Sequence, residues 1–119
     1  MGRQKTDGLH GAGRSVLGRL AIHTGQDSAA VVDRNGKIER LSPPDGYDAI
    51  TVFFANGRLL ANVYKRSVGP TTNRLHEWAG RRWIDRGPSH IMGVSASGKA
   101  VLIWNVPSET YEVVWVAKP

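Results

Sequence analysis

The chain of 119 residues contains no cysteine. That absence excludes disulfides, thiolate-ligated zinc and thiol catalysis together. No apolar run approaches the roughly 20 residues needed to cross a bilayer. The basic first fifteen residues, MGRQKTDGLHGAGRS, are not followed by the apolar segment of a secretory signal. We therefore expect a cytoplasmic or particle-associated protein with no signal peptide and no membrane partner.

Catalytic and metal-binding patterns are also missing. The four histidines lack the close pairing of metal ligands: His10, His23, His76 and His90. The stretch GAGRSVLGRL (11–20) has glycines and arginines but not the Lys-Ser or Lys-Thr of a phosphate-binding loop. The aspartates lie among turn residues, where they commonly hydrogen-bond their own backbone. The sequence therefore predicts a protein that is not an enzyme, with no metal and no cofactor.

The sequence is rich in short strand-forming runs. Runs of Val, Ile, Trp, Tyr and Phe alternate with turn residues, and helical spacing is not sustained for a dozen residues. Ten strands are predicted at 20–24, 29–33, 37–41, 49–54, 59–64, 75–78, 82–85, 90–95, 100–105 and 111–116. The Asn-Gly pairs at 35–36 and 56–57 predict type I′ hairpin turns. We expect residues 1–16 to form a flexible basic arm and residues 17–119 to form a single all-β repeat domain.

A repeat near 40 residues organises these strands. Glycine followed by a basic residue recurs at Gly18, Gly57 and Gly98, with spacings of 39 and 41 residues. Counting from these turns gives units of four strands, the third unit having only its first two. Such a period is typical of β-propeller blades, of which a closed ring has four to eight. The predicted fold is a tandem of four-stranded antiparallel units, propeller-like and incomplete; a single β-barrel or β-sandwich is the alternative.

One hairpin carries a resemblance to known blades. The segment LHEWAGRRWIDRG places Trp78, Gly80 and Trp83 in a W-x-G-x-x-W pattern. This pattern resembles the tryptophan hairpin of tectonin-type and fucose-lectin-type β-propellers. Over roughly residues 18–119 the resemblance is to propeller-blade architecture rather than to one family. It implies blade architecture with a lectin-like function. The fucose-lectin pattern also has an acidic residue three positions before the first tryptophan, where this chain has Leu75, so no sugar site is transferred.

The positive charge is unevenly placed. The net charge is +6, and residues 58–86 hold seven basic residues against two acids, or +5. Such asymmetry favours polyanionic partners, including nucleic acid, although basic residues also keep β proteins soluble and their edges unpaired. We expect residues 65–74, KRSVGPTTNR, to form a loop that brings further cations beside the tryptophan hairpin. The predicted binding residues are Lys65, Arg66, Arg74, Trp78, Arg81, Arg82 and Trp83.

The remaining aromatic residues are assigned by their neighbours. Phe53 and Phe54 are adjacent and should point to opposite faces of one strand. Trp104 and Trp115 lie in apolar runs and are predicted to be core residues. Trp78 and Trp83 are either a packed cross-strand pair, which we favour, or a stacking platform for single-stranded nucleic acid.

The sequence predicts a protein that works by binding other molecules rather than by catalysis. We expect a non-enzymatic structural or interaction protein acting in a larger assembly, as a homo-oligomer or with a partner protein. Nucleic-acid binding through residues 58–86 is one alternative, and a glycan-binding lectin-like module is another.

Overall fold

The protein is all-β. A computed structural model describes residues 10–14, 19–23, 25 and 27–119, and these contain no helix and hence none that could cross a membrane. The strands are β1 (His10–Arg14), β2 (Leu20–His23), β3 (Ala29–Val32), β4 (Ile38–Leu41), β5 (Ala49–Ala55), β6 (Arg58–Lys65), β7 (Gly69–Trp78), β8 (Trp83–Gly87), β9 (Ser89–Val94), β10 (Ala100–Asn105) and β11 (Thr110–Trp115).

The strands form three antiparallel sheets in chain order. The first sheet has the order β1-β2-β3-β4, the second β5-β6-β7-β8, and the third β11-β10-β9. All ten predicted strands are present; nine agree with the predicted bounds to within two residues, and β7 begins six residues earlier than predicted. Strand β1 falls inside the predicted arm; residues 1–9 and 15–16 of that arm lie outside the described residues.

The boundaries between the sheets differ from the predicted units by one strand. The predicted fourth strand of each unit is instead the first strand of the next sheet, because β5 pairs with β6 and β9 pairs with β10. The Asn56-Gly57 turn joins β5 to β6 directly, with positive φ at both residues as a type I′ turn requires. Pro43, Pro44 and Pro88 lie between sheets. Proline has no backbone N–H, and at these positions no hydrogen bond within a sheet requires one.

Two turn predictions are wrong in detail. Residues 65–74 are not one long loop: β7 begins at Gly69 and pairs with β6, which leaves a tight turn before Gly69. The turn at Asn35-Gly36 is not type I′, since only Gly36 takes a positive φ there. The Asp33 carboxylate shapes this turn by accepting hydrogen bonds from the N–H groups of Asn35 (2.8 Å) and Lys37 (2.9 Å).

The sheets are stacked face to face with the second sheet in the middle, and the described strands form no closed barrel. Phe54 packs in the core between the first and second sheets, whereas Phe53 packs against the core between the second and third, as their adjacency predicted. The first core is built from Ala21, Ala29, Val31, Leu41, Ile50, Val52, Phe54, Leu59, Ala61 and Val63. The second is built from Ala55, Leu60, Ile91, Val101 and Ile103.

Polar contacts tie the third sheet to the second. The Asn62 amide donates to the Ile91 carbonyl at 2.9 Å and accepts from the Ile91 N–H at 2.7 Å. A side chain of β6 thus provides hydrogen-bond partners for the backbone of β9 on the side where β9 has no neighbouring strand. After β11 the chain crosses to the β5–β6 turn. There Asn56 Nδ2 donates to the Val116 carbonyl at 2.6 Å and Arg58 Nε donates to the Ala117 carbonyl at 2.7 Å.

Candidate functional site

The tryptophan hairpin is a packed cross-strand pair. Trp78 on β7 lies directly opposite Trp83 on β8, with ring centroids 5.0 Å apart and an interplanar angle of 60°. Both rings are half-buried against the first core. Because the rings pack on each other and on the core, the structure agrees with the packing interpretation of this pair.

A cleft opens beside this hairpin. It has a volume of about 420 Å³ and lies between the β4–β5 connection and the β7–β8 turn. We call it the arginine–tryptophan cleft; its lining includes Arg40, Pro43, Pro44, Asp45, Trp78, Arg81, Arg82 and Trp83. Its volume lies in the usual range for small-molecule sites. Trp83 Nε1 donates to the Ser42 carbonyl at 2.9 Å, which fixes the two walls to each other.

The predicted binding residues do not form one patch. Trp78, Arg81, Arg82 and Trp83 share the cleft, but Lys65 and Arg66 lie at the opposite end of β7. At about 3.3 Å per residue, the ten residues of β7 separate the two ends by roughly 30 Å. The prediction that Lys65 and Arg66 lie beside the hairpin is therefore wrong, because Gly69 starts a strand rather than continuing a loop.

Ion pairs neutralise much of the basic region. Glu77 binds both Arg58 (2.7 Å) and Arg86 (2.9 Å), and Asp85 binds Arg74 at 2.8 Å. The hydrogen bond between Arg74 and Asp85 lowers the pKa of Asp85 and raises that of Arg74. Arg74 thus lies on the same hairpin as the cleft, but its guanidinium group is already bound by Asp85.

Burial disfavours the charged form of two histidines. His76 is 5% exposed and meets the Tyr47 ring edge-on at 5.6 Å; its Nδ1 is buried without a hydrogen-bond partner among the described residues. Burial lowers the pKa of His76 and also that of His90. No cluster of three or more metal-ligating side chains occurs in the described part of the chain.

His90 lines a second, smaller cavity that the sequence did not suggest. This cavity of about 230 Å³ lies between the β6–β7 side of the second sheet and the end of the third, beside Pro70, Trp104 and Glu109. Trp104 and His90 are cross-strand neighbours on β10 and β9. The cavity also needs Pro70 and Thr71 of β7 in the second sheet, and a contact between strands of two separate sheets leaves no local signal in the sequence.

The third sheet carries the most exposed apolar surface described. Its inner side packs on the second sheet through Val101 and Ile103, so the alternate residues of β10 and β11 face away. We call this surface the open face, formed by Leu102, Tyr111, Val113 and Trp115, with Trp104 at its margin, where this ring also lines the smaller cavity. Trp115 is 76% exposed, and Tyr111 and Val113 are each 62% exposed. The prediction that Trp115 is a core residue is therefore wrong, since no described sheet covers this side of β11.

Trp104 shows that the open face is an ordered surface. Its ring packs edge-on against Tyr111, its cross-strand partner, with centroids 4.8 Å apart, and it is half-buried rather than fully in the core. The open face is therefore a row of large apolar side chains arranged across two paired strands.

Comparison of the chain with protein-family models, with curated proteins and with solved structures finds no match.

Proposed function

We propose that this protein is a non-enzymatic component of a larger assembly, and that its open face stacks on the first sheet of a second copy. The observation that carries the proposal is the exposure of Tyr111, Val113 and Trp115 on one side of β11. Contiguous apolar surface of this kind is typical of interaction sites. Burying it removes apolar area from water, which is the main driving force of association.

A second copy suits the open face better than a polyanion does. The residues from β9 to β11 contain one lysine, Lys99, and two glutamates, Glu109 and Glu112, so this sheet lacks the positive charge that a polyanion requires. The first sheet offers a matching apolar row. Leu20, Val32 and Ile38 are aligned across β2, β3 and β4 on the side away from the first core.

The apolar row is the partly exposed apolar portion of that first-sheet surface. In that row Ile38 is 52% exposed and Leu20 and Val32 are half-buried. In the next row on the same side Ile22 and Ala30 are buried, and Arg40 at its end is exposed. Stacking the open face on this row would repeat the face-to-face packing that already joins the three sheets. If the sheets are propeller-like blades, two copies supply six, within the range of closed propellers. Such head-to-tail contacts close into a ring when the rotation permits.

Light scattering on a size-exclusion column tests the proposal. We expect the protein to elute with at least twice its 13.0 kDa mass and the Val113→Asp variant to elute at the monomer mass. Val68→Asp is the matched control, because Val68 is the same residue type at 63% exposure but lies on the β6–β7 turn. A wild-type monomer at 100 µM, or equal dissociation by both variants, would refute the proposal.

A further inference from the structure

Unpaired arginines of the first and second sheets meet at the arginine–tryptophan cleft. Four arginines of residues 58–86 are in ion pairs: Arg58, Arg66, Arg74 and Arg86. Among the described residues, the three arginines of the cleft have no acidic partner: Arg40, Arg81 and Arg82. Asp45 is the single acid of the lining. The formal charge of the cleft is therefore three minus one, or +2.

The cleft is held in shape before any ligand arrives. The hydrogen bond from Trp83 to Ser42 joins residues 41 positions apart, and Pro43 and Pro44 restrict the backbone of the facing wall. The hairpin turn is closed by the Ala79 N–H, which donates to the Arg82 carbonyl at 2.9 Å. The walls therefore lose little conformational entropy on binding, whereas the exposed side chains of Arg40, Arg81 and Arg82 become ordered only on the ligand.

We infer that the arginine–tryptophan cleft binds a small organic diphosphate. Guanidinium groups present forked donors that match phosphate oxygens, and a multiply charged anion offsets a +2 site better than a single carboxylate. The indole and proline rings of the walls provide an apolar surface for the organic part of the ligand. The volume of about 420 Å³ accommodates one such molecule.

An extended nucleic-acid strand fits the charge distribution less well. Lys65 is the remaining unpaired cation of residues 58–86, and it lies roughly 30 Å from the cleft along β7. Between the two ends, Arg74 is held by Asp85. Within residues 58–86 the unpaired arginines thus lie together at the cleft and do not continue into a track that a phosphate backbone could follow.

Calorimetric titration with inorganic pyrophosphate tests the inference. We expect pyrophosphate to bind more tightly than inorganic phosphate, and the Arg82→Gln and Arg81→Gln variants to weaken pyrophosphate binding about ten-fold or more each, the effect of a lost charge-assisted hydrogen bond. Lys65→Gln is the control, since it removes one unpaired charge of the same sign at the far end of the sheet. It should change the affinity less than two-fold.

The indole of Trp78 gives a second readout. Its Nε1 is buried without a hydrogen-bond partner among the described residues, and the ring lines the cleft. We expect its indole N–H resonance, identified with the Trp78→Phe variant, to shift on addition of pyrophosphate. The same shift should occur in the Val113→Asp variant, because the cleft does not involve the open face; this separates the inference from the assembly proposed above.

Three results would overturn the inference. One is no pyrophosphate binding at millimolar concentration. Another is equal weakening by Lys65→Gln and Arg82→Gln, which indicates diffuse attraction to net charge. The third is tighter binding of a 20-nucleotide oligothymidylate than of pyrophosphate with equal dependence on Lys65 and Arg82, which indicates a nucleic-acid track.

Discussion

Replacing Asn62 by alanine should loosen the third sheet from the second. The Asn62 amide makes two hydrogen bonds to the backbone of Ile91, at 2.9 and 2.7 Å, in a partly buried position between the sheets. Ile91 itself is only 3% exposed. Removing the amide leaves one backbone N–H and one C=O of Ile91 without partners at a place that water reaches poorly.

The expected cost follows from those two groups. A buried polar group left unsatisfied costs about 1–3 kcal/mol, so the Asn62→Ala variant should lose about 2–4 kcal/mol of unfolding free energy. With an m-value of about 2 kcal/mol/M in urea, the midpoint should fall by about 1–2 M. Asn62→Asp should not restore stability, because a carboxylate accepts from the Ile91 N–H but repels the Ile91 carbonyl oxygen.

Urea denaturation followed by tryptophan fluorescence measures this effect. The control is Asn105→Ala, since the Asn105 side chain also makes two hydrogen bonds, to Ser108 at 3.1 and 2.9 Å, but in an exposed turn. Its cost should stay below about 1 kcal/mol because water replaces the lost partners. Equal midpoints for Asn62→Ala and Asn105→Ala would refute the role of Asn62 in joining the sheets.

Two further perturbations test the turn and the buried histidines. Gly57→Ala should lower the free energy of unfolding, measured by heat or urea, by about 1–2 kcal/mol, since Gly57 has a φ of +84°. The control is Gly93→Ala, because nothing lies within 4 Å of a Cβ added there. This control should leave the free energy of unfolding unchanged or raise it slightly. Because burial places the folded pKa values of His76 and His90 below 6.5, the unfolded chain binds protons first as the pH falls. The contribution of the two neutral histidines to the unfolding free energy should thus be fully present above pH 6.5 and decline below it. Urea midpoints that rise as the pH is lowered from 6.5 to 5 would contradict this.

The strands could be read from the sequence because their signals are local. Strand-forming residues bounded by turn residues located all ten predicted strands, and the Asn56-Gly57 pair gave its turn type. Strand β1 was not predicted, since its sequence HGAGR contains no strand-forming side chain. It is part of the sheet through backbone pairing with β2, which does not depend on side-chain type.

Sheet boundaries and burial could not be read in the same way because they depend on distant segments. Trp115 lies in an apolar run like any core strand, and only the absence of a covering sheet among the described residues leaves it exposed. Arg40 was not predicted as a cleft residue because its neighbours in the cleft, Arg81 and Arg82, lie about forty positions away. Four of the seven predicted binding residues lie together for a local reason, namely that one hairpin carries Trp78, Arg81, Arg82 and Trp83.

Mixing two complementary variants tests the stacking of copies most directly. Val113→Asp blocks the open face and Ile38→Asp blocks the apolar row of the first sheet, so each variant alone should elute from the size-exclusion column at the 13.0 kDa monomer mass. An equimolar mixture retains one intact open face and one intact first-sheet row, and should give a 26 kDa dimer, twice 13.0 kDa. A mixture that remains monomeric, or an Ile38→Asp variant that assembles like the wild type, would contradict head-to-tail stacking.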